Sequence, residues 1–121
     1  MNSLTKSERL HSYGAIRRLF NQGRSGFIYP FRYVYIVEEA DSPEAAILFS
    51  TPKKYHKRAN KRNTLRRRMR EVYRLNKSLI YNSLGNHRIE IAIIYSSKTI
   101  HDYQTIEHAV KKVLEQISAE L

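Results

Sequence analysis

The residues that could do chemistry are concentrated in one basic segment, residues 52–77, which reads PKKYHKRANKRNTLRRRMREVYRLNK. Between residues 53 and 74 it has eleven Lys or Arg and a single acid, Glu71, for a local charge of about +10. The whole 121-residue chain has a formal net charge of +11, so the remainder is nearly neutral. Such a local excess of one sign indicates an anionic partner.

The part of this segment that follows Asn60 fits a helix with two different faces. At about 100° per residue, one narrow arc is apolar apart from Asn76. It contains Leu65, Met69, Val72, Asn76 and Leu79, with Tyr73 and Ile80 on its flank. The opposite side carries Asn63, Arg66, Arg67, Arg70, Arg74 and Lys77. We predict one helix, with Asn60 as N-cap, that packs through the first face and binds an anion through the second.

Arginine outnumbers lysine on the cationic face, which favours nucleic acid over a membrane surface as the anion. A guanidinium binds phosphate in a bidentate manner and stacks on bases, whereas an ammonium is a hydrated point charge. A helix lying on a membrane would need a broad exposed face of bulky apolar residues, and this apolar arc is narrow. We therefore expect an RNA or DNA partner and no membrane.

No catalytic or metal-binding arrangement is recognisable. The five histidines lack HExxH or a comparable spacing, the acids are scattered, and the four glycines form no phosphate-binding loop. The absence of cysteine excludes disulfides and thiolate zinc sites. We expect no catalytic residues and no metal site in the protein itself.

Length and hydropathy predict a single domain over residues 1–121. The N-terminus has no apolar signal-peptide core, and no apolar run approaches about 18 residues. The expected location is therefore cytoplasmic.

The predicted order of elements is helix, three strands, helix, strand, helix. Residues 1–11 are predicted as an extended arm, although Thr5 and Glu8 could form a capping box. Ser12 would cap the first helix, and Gly23 would end it as a C′ glycine.

The predicted strands cover about residues 25–29, 31–37, 45–50 and 88–95. Pro30 separates the first two, or bends a single edge strand that contains both, and the second and third are predicted to form a hairpin. The fourth, RIEIAIIY, is nearly all apolar, as expected of a strand covered on both faces. Asp102 is a predicted N-cap for the last helix.

The string FSTPKKYHKRANKRNTLRRRMREVYRLNK resembles the signature of the bacterial ribonuclease P protein component. That signature consists of a strand ending in Ser, a loop that contains Lys-Lys, and a helix. The helix begins with Arg-Asn-Arg and continues with Lys-Arg, which is followed after two further residues by Arg-Glu. The matching residues are Lys53 and Lys54, Arg62 and Asn63, Arg66 and Arg67, and Arg70 and Glu71. Thr64 stands where the pattern has the second Arg of Arg-Asn-Arg, so this position departs from the signature.

The resemblance implies an α+β fold, an αβββαβα sandwich with a left-handed βαβ crossover. It also implies a protein subunit that binds the catalytic RNA of ribonuclease P and the 5′ leader of precursor tRNA, to promote tRNA 5′-end maturation. The catalytic centre and its Mg²⁺ would lie in the RNA subunit. The residues expected to bind that RNA are Lys53, Lys54, Lys57, Arg58, Lys61, Arg62, Asn63, Arg66, Arg67 and Arg70.

The family also implies a cleft between the first helix and the sheet, where unpaired leader nucleotides stack on aromatic rings. Ile16 occupies the place of a phenylalanine common in the family, and Phe20 matches a second one. Tyr33 or Tyr35 could contribute from the strand, and Pro30 leaves the register between them open.

Two other functions fit the composition. A structural RNA-binding protein, such as a ribosomal protein, would have the same basic character. A DNA-binding module would need a helix-turn-helix partner or a dimer seam, neither of which is recognisable, so no DNA partner is expected.

Overall fold

The computed structural model describes residues 4–121. The elements are a one-turn 3₁₀ helix at Lys6–Glu8, α1 Tyr13–Gln22, β1 Arg24–Ile28, β2 Phe31–Glu39, β3 Glu44–Ser50, α2 Ala59–Asn76, α3 Ser78–Leu84, β4 His87–Tyr95 and α4 Tyr103–Ala119. The α+β class and the predicted order are confirmed, with α3 as an additional short helix. Across the described residues, no helix is long and apolar enough to span a membrane.

The four strands form one sheet in the order β1-β2-β4-β3. β1 and β2 form an antiparallel hairpin, β4 pairs antiparallel with β2, and β3 pairs parallel with β4. The hairpin predicted between β2 and β3 is therefore wrong, because β4 lies between them. β4 is apolar on both faces and takes an inner position where both faces are covered. The parallel pair needs a crossover, which α2 and α3 provide; its left-handed sense stays a prediction from the resemblance.

The sheet separates two cores of unequal size. The main core lies beneath α2, α3 and α4 and contains Tyr35 and Ile91. The second core lies beneath α1 and contains Leu19, Val34 and Ala92. Because side chains alternate along each strand, β2 and β4 contribute to both cores.

The end of α1 explains the glycine at position 23. Ser12 caps the helix as predicted, since its side chain accepts a hydrogen bond from the Ala15 N–H at 3.4 Å. Gly23 has φ −75° and ψ 158°, which is extended backbone and not the left-handed C′ conformation that we predicted. A Cβ there would lie 2.6 Å from both the Leu19 carbonyl oxygen and Val34 Cγ1. Glycine is required by the close approach of the helix end to β2.

The basic helix begins before the predicted N-cap and ends before Leu79 and Ile80, which the predicted helix included. Its N-cap is Arg58, not Asn60. It ends at Asn76. The side-chain amide of Asn76 donates to the Val72 carbonyl oxygen at 2.8 Å, and so competes with a backbone N–H for that acceptor. The chain resumes as α3, which ends at Gly85 with φ +58°, a conformation that favours glycine.

An ion pair holds the N-terminal segment against the crossover helices. Lys77 Nζ lies 3.0 Å from both carboxylate oxygens of Glu8, and the Tyr81 hydroxyl donates to Glu8 at 2.6 Å. The Thr5 N–H donates to Glu8 at 3.0 Å, which forms the expected capping box.

The segment also joins the sheet, because the Leu10 N–H donates to the Ile47 carbonyl of β3 at 2.9 Å. The predicted arm is therefore held against the domain from residue 4 onward, and residues 1–3 lie outside the described part.

Glu8 should make stability dependent on pH. Its burial would raise the pKa of the carboxyl, but the hydrogen bonds from Thr5, Tyr81 and Lys77 outweigh this and lower the pKa to about 2 from 4.5. A lowered pKa in the folded state gives stability that is complete above about pH 4.5 and is lost as the pH falls towards 2. We expect Glu8→Gln to lower the free energy of unfolding by about 2–3 kcal/mol at pH 7.

Urea denaturation of both proteins at pH 7 and pH 2.5 checks this expectation. The difference between them should shrink at the lower pH. Glu115→Gln, at an exposed position of α4, is the control and should leave stability unchanged at both pH values. A difference between wild type and Glu8→Gln that is equal at both pH values would contradict the assignment.

Candidate nucleic-acid interface

The ten residues predicted to bind RNA lie together on the loop of residues 51–58 and the first three turns of α2. We call this set the basic surface: Lys53, Lys54, Lys57, Arg58, Lys61, Arg62, Asn63, Arg66, Arg67 and Arg70. Eight of the ten are exposed, while Arg62 and Arg66 are half-buried. None of the ten is an acid, so the surface presents uncompensated positive charge.

The buried face of α2 fixes the direction in which the cations point. Leu65, Met69 and Val72 are fully buried in the main core, as the sequence predicted. Because residues three or four apart share a helix face, Arg67 and Arg70 are left on the solvent side. The N-cap Arg58 makes no side-chain hydrogen bond to the first turn, and the positive end of the helix dipole adds to the charge there.

Arg66 is held in a fixed orientation at the centre of this surface. Its Nη1 donates to Thr51 Oγ1 at 2.9 Å, and its Nη2 donates to Asn63 Oδ1. These bonds occupy some of the N–H donors of the guanidinium group and fix the orientation of the others. An arginine oriented in advance loses less side-chain entropy when it binds a phosphate. Thr51 was not among the predicted site residues, and its identity alone gives no signal for this role.

Two other arginines bind the protein's own loops. Arg62 Nη1 donates to the carbonyl oxygens of Lys57 at 2.7 Å and His56 at 3.1 Å, so it supports the loop that leads into α2. Arg68 Nη1 donates to the His101 carbonyl at 2.8 Å, which turns it away from the basic surface. Arg62 therefore shapes the interface in addition to any contact with phosphate.

His56 anchors the basic loop from inside the protein. It is only 7% exposed, its ring packs on Tyr95 with centroids 5.6 Å apart, and its Nε2 lies 2.7 Å from the Ser97 carbonyl. A carbonyl can only accept, so Nε2 is the protonated nitrogen. The sequence suggested a surface or loop histidine, and it gave no sign of this contact with the β4–α4 loop.

Acids of the domain pair with arginines that are not part of the basic surface. Glu71 Oε1 lies 2.6 Å from Arg74 Nη2, and this hydrogen-bonded pair lowers the pKa of the Glu71 carboxyl. On α1, Arg18 contacts both Glu38 and Glu90.

The face beside α1 differs from the predicted cleft. Phe20 is 45% exposed on α1, and Ile16 is half-buried against the second core. Tyr33 and Tyr35 were predicted as alternative cleft residues, but both are buried on the opposite face, in the main core. The pleat of β2 places Val34 towards α1 instead. Neither tyrosine can contact a ligand between α1 and the sheet.

An aromatic residue that the sequence analysis missed lies on the α1 face. Phe27 of β1 pairs in register with Arg32 of β2, which places it on the same face as Val34. It is 56% exposed. The alternation of side chains along β1 is visible in the sequence. It assigns Phe27 to the α1 face only when the pairing of β1 with β2 is known.

Within residues 4–121, no three His, Asp or Glu side chains come together as a metal site. Mg²⁺ prefers several oxygen ligands, including carboxylates, and this part of the chain does not bring such a set together.

Comparison with known families identifies a match over nearly the whole chain. The family model described as Ribonuclease P matches residues 4–118. A Porphyromonas gingivalis protein named ribonuclease P protein component is 38% identical over 118 residues, which covers 95% of this chain and 86% of the relative. A Chlorobaculum tepidum protein of the same name is 33% identical over 110 residues, covering 80% and 70%.

Solved structures agree with the fold. The RNase P protein from Thermotoga maritima superimposes with a TM-score of 0.73 at 24% identity, covering 90% of this chain and 96% of that one. The Staphylococcus aureus RNase P protein superimposes with a TM-score of 0.70 at 21% identity, covering 93% and 96%.

Proposed function

The chain belongs to the ribonuclease P protein family, and we infer from its structure how it serves as the protein subunit of that ribonucleoprotein endoribonuclease. In this family the RNA subunit contains the catalytic centre, so the protein acts by binding RNA. The observation that carries this mechanism is the basic surface, an array of exposed cations on a helix whose other face is fully buried. We place this activity in the cytoplasm, where precursor tRNA would be processed.

We propose that the basic surface contacts the phosphate backbone of ribonuclease P RNA. Arg67 and Arg70 project from α2 and offer planar forks for phosphate oxygens. Lys53 and Lys54 extend the contact from the preceding loop. Phosphate contacts of this kind supply affinity and position and read no sequence directly.

We propose that Mg²⁺ is held mainly by the RNA subunit. The described residues bring no carboxylate set together, and RNA phosphates offer the hard oxygen ligands that Mg²⁺ prefers. The protein's cations would neutralise phosphate charge beside the RNA's own metal sites.

We also propose that the α1 side of the sheet contacts the unpaired 5′ leader of precursor tRNA. Phe20 and Phe27 are both exposed aromatic rings. Single-stranded nucleotides bind by stacking on such rings. Tyr33 and Tyr35 are not part of this proposal, because they are buried on the other face.

The ribosomal alternative has no observation in its favour, and RNA identity tests it directly. We expect RNA that co-purifies with the tagged protein from its own cells to be enriched in ribonuclease P RNA, as shown by sequencing. Enrichment in ribosomal RNA instead would support the alternative.

The salt dependence of binding to ribonuclease P RNA tests the basic surface. Each phosphate contact that is lost removes about 0.7 to 0.9 from the slope of log K against log salt. We therefore expect the double variant Arg67→Ala/Arg70→Ala to flatten this slope by about one to two units. Filter binding over a series of salt concentrations measures it.

The matched control removes the same charge elsewhere. Lys6 and Lys111 are exposed cations outside the basic surface. The double variant Lys6→Ala/Lys111→Ala should keep the wild-type slope. If both double variants flatten the slope equally, the charge acts diffusely and the localisation is wrong.

Leader binding is tested by comparing precursor with mature tRNA. Stacking is worth roughly 1–3 kcal/mol per base, so Phe20→Ala should weaken precursor binding by the assembled enzyme about tenfold. Mature tRNA has no leader, and its affinity should hardly change.

Because Phe20 is 45% exposed, its truncation should lower the melting temperature much less than truncation of a fully buried residue. Leu19→Ala removes a fully buried neighbour and should lower both affinities together with the melting temperature. The same joint loss in Phe20→Ala would identify Phe20 as a structural residue.

A further inference from the structure

A groove of about 360 Å³ lies between the β1–β2 turn and α4. Its lining includes no residue of the basic surface and none of α1, and its Tyr29 contacts Phe27 edge to face, with ring centroids 6.4 Å apart. Ile28, Tyr29 and Ala109 form its apolar wall, and Gln104, His108 and Lys112 contribute polar groups. This combination of an aromatic wall and a few polar groups is typical of a small-ligand site.

Tyr29 is exposed and yet firmly positioned. It is 56% exposed, but its hydroxyl oxygen lies 2.9 Å from Ser97 Oγ and 3.2 Å from His101 Nε2. Its ring contacts the His101 ring edge to face, with centroids 5.4 Å apart. A ring that is fixed before binding loses little entropy when a flat ligand stacks on it.

The loop that holds Tyr29 is tied to the basic segment. His56 of the basic loop donates to the Ser97 carbonyl at 2.7 Å, and Arg68 of α2 donates to the His101 carbonyl at 2.8 Å. Ser97 and His101 are the same two residues that position the Tyr29 hydroxyl. The loop that positions Tyr29 is therefore connected by hydrogen bonds to the basic loop and to α2.

The polar groups of the groove match one nucleotide. Lys112 makes no ion pair within residues 4–121, and no acid lines the groove, so a phosphate is not repelled. The Gln104 amide and the His108 ring can donate to and accept from the edge of a base. Stacking on an aromatic ring combined with a nearby cation is how unpaired nucleotides are held.

We propose that this groove binds one unpaired nucleotide of ribonuclease P RNA, with its base on Tyr29 and its phosphate at Lys112. The inference rests on the proposed function and adds a second contact to the basic surface. The RNA subunit is the source because the groove is connected to the surface that binds it.

Affinity for ribonuclease P RNA alone, measured by filter binding, tests the site. Tyr29→Ala should weaken binding about tenfold, whereas Tyr29→Phe keeps the ring but loses the hydrogen bonds that fix it, so its affinity should lie between those of Tyr29→Ala and wild type. Lys112→Ala should flatten the salt slope by about one unit, and its neighbour Lys111→Ala, which does not line the groove, should not. Lys112 is exposed, so this pair remains informative if Tyr29→Ala folds poorly.

Crosslinking identifies the bound RNA. Because the chain has no cysteine, Gln104→Cys offers a unique attachment point for a photoreactive group, and Gln116→Cys on α4 is the control. In the assembled enzyme with precursor tRNA, we expect Gln104→Cys to crosslink to an unpaired nucleotide of the RNA subunit. A crosslink only to the precursor, or none, would overturn the proposal.

The two proposals fail in different ways. Wild-type protein that does not bind ribonuclease P RNA would refute the proposed function. Wild-type protein that binds, with Tyr29→Ala and Lys112→Ala binding equally well and with the same slope, would refute only the groove.

Discussion

The burial of β4 on both faces is the constraint on which the rest of the structure depends. Ile89, Ile91 and Ile93 fill the main core, while Ala92 lies in the second core beneath α1. By pairing with both β2 and β3, β4 joins the hairpin that carries the exposed aromatic rings to the strand that leads into the basic loop. The hairpin with Phe27 and Tyr29 and the strand that leads into the basic loop are thereby held at fixed relative positions.

The domain concentrates positive charge by neutralising cations elsewhere. Arg18 and Arg88 share Glu90, and Lys77 binds Glu8. Nine of the 22 Lys and Arg residues lie on the basic surface, where like charges repel one another and oppose folding. A polyanion bound there relieves this repulsion, and a ligand that binds only the folded state also stabilises it by mass action. Binding and folding stability are therefore linked through the same residues.

The sequence predicted the features that depend on local pattern. The periodicity around Leu65 and Met69 predicted the buried face of α2, and the nearly continuous apolar run of β4 predicted burial on both sides. The β2–β3 hairpin was wrong because pairing depends on competition between strands distant in sequence. The break at Asn76 and the backbone of Gly23 depend on particular close contacts, which residue type alone does not reveal. For the site, the segment was predictable, whereas the inward orientation of Arg62 was not.

Which aromatic side chains are exposed depends on the fold, and the sequence pattern alone does not reveal it. The resemblance suggested Tyr33 or Tyr35 as a leader contact, yet strand alternation and the β1–β2 register bury both of them and leave Tyr29 and Phe27 exposed. Complete burial of a large apolar side chain is worth about 1.5–3 kcal/mol. Leaving Phe20, Phe27 and Tyr29 about half exposed forgoes part of that stabilisation. The free protein gains nothing from such exposure, but a partner with flat, unpaired bases can cover these rings and recover the energy as binding.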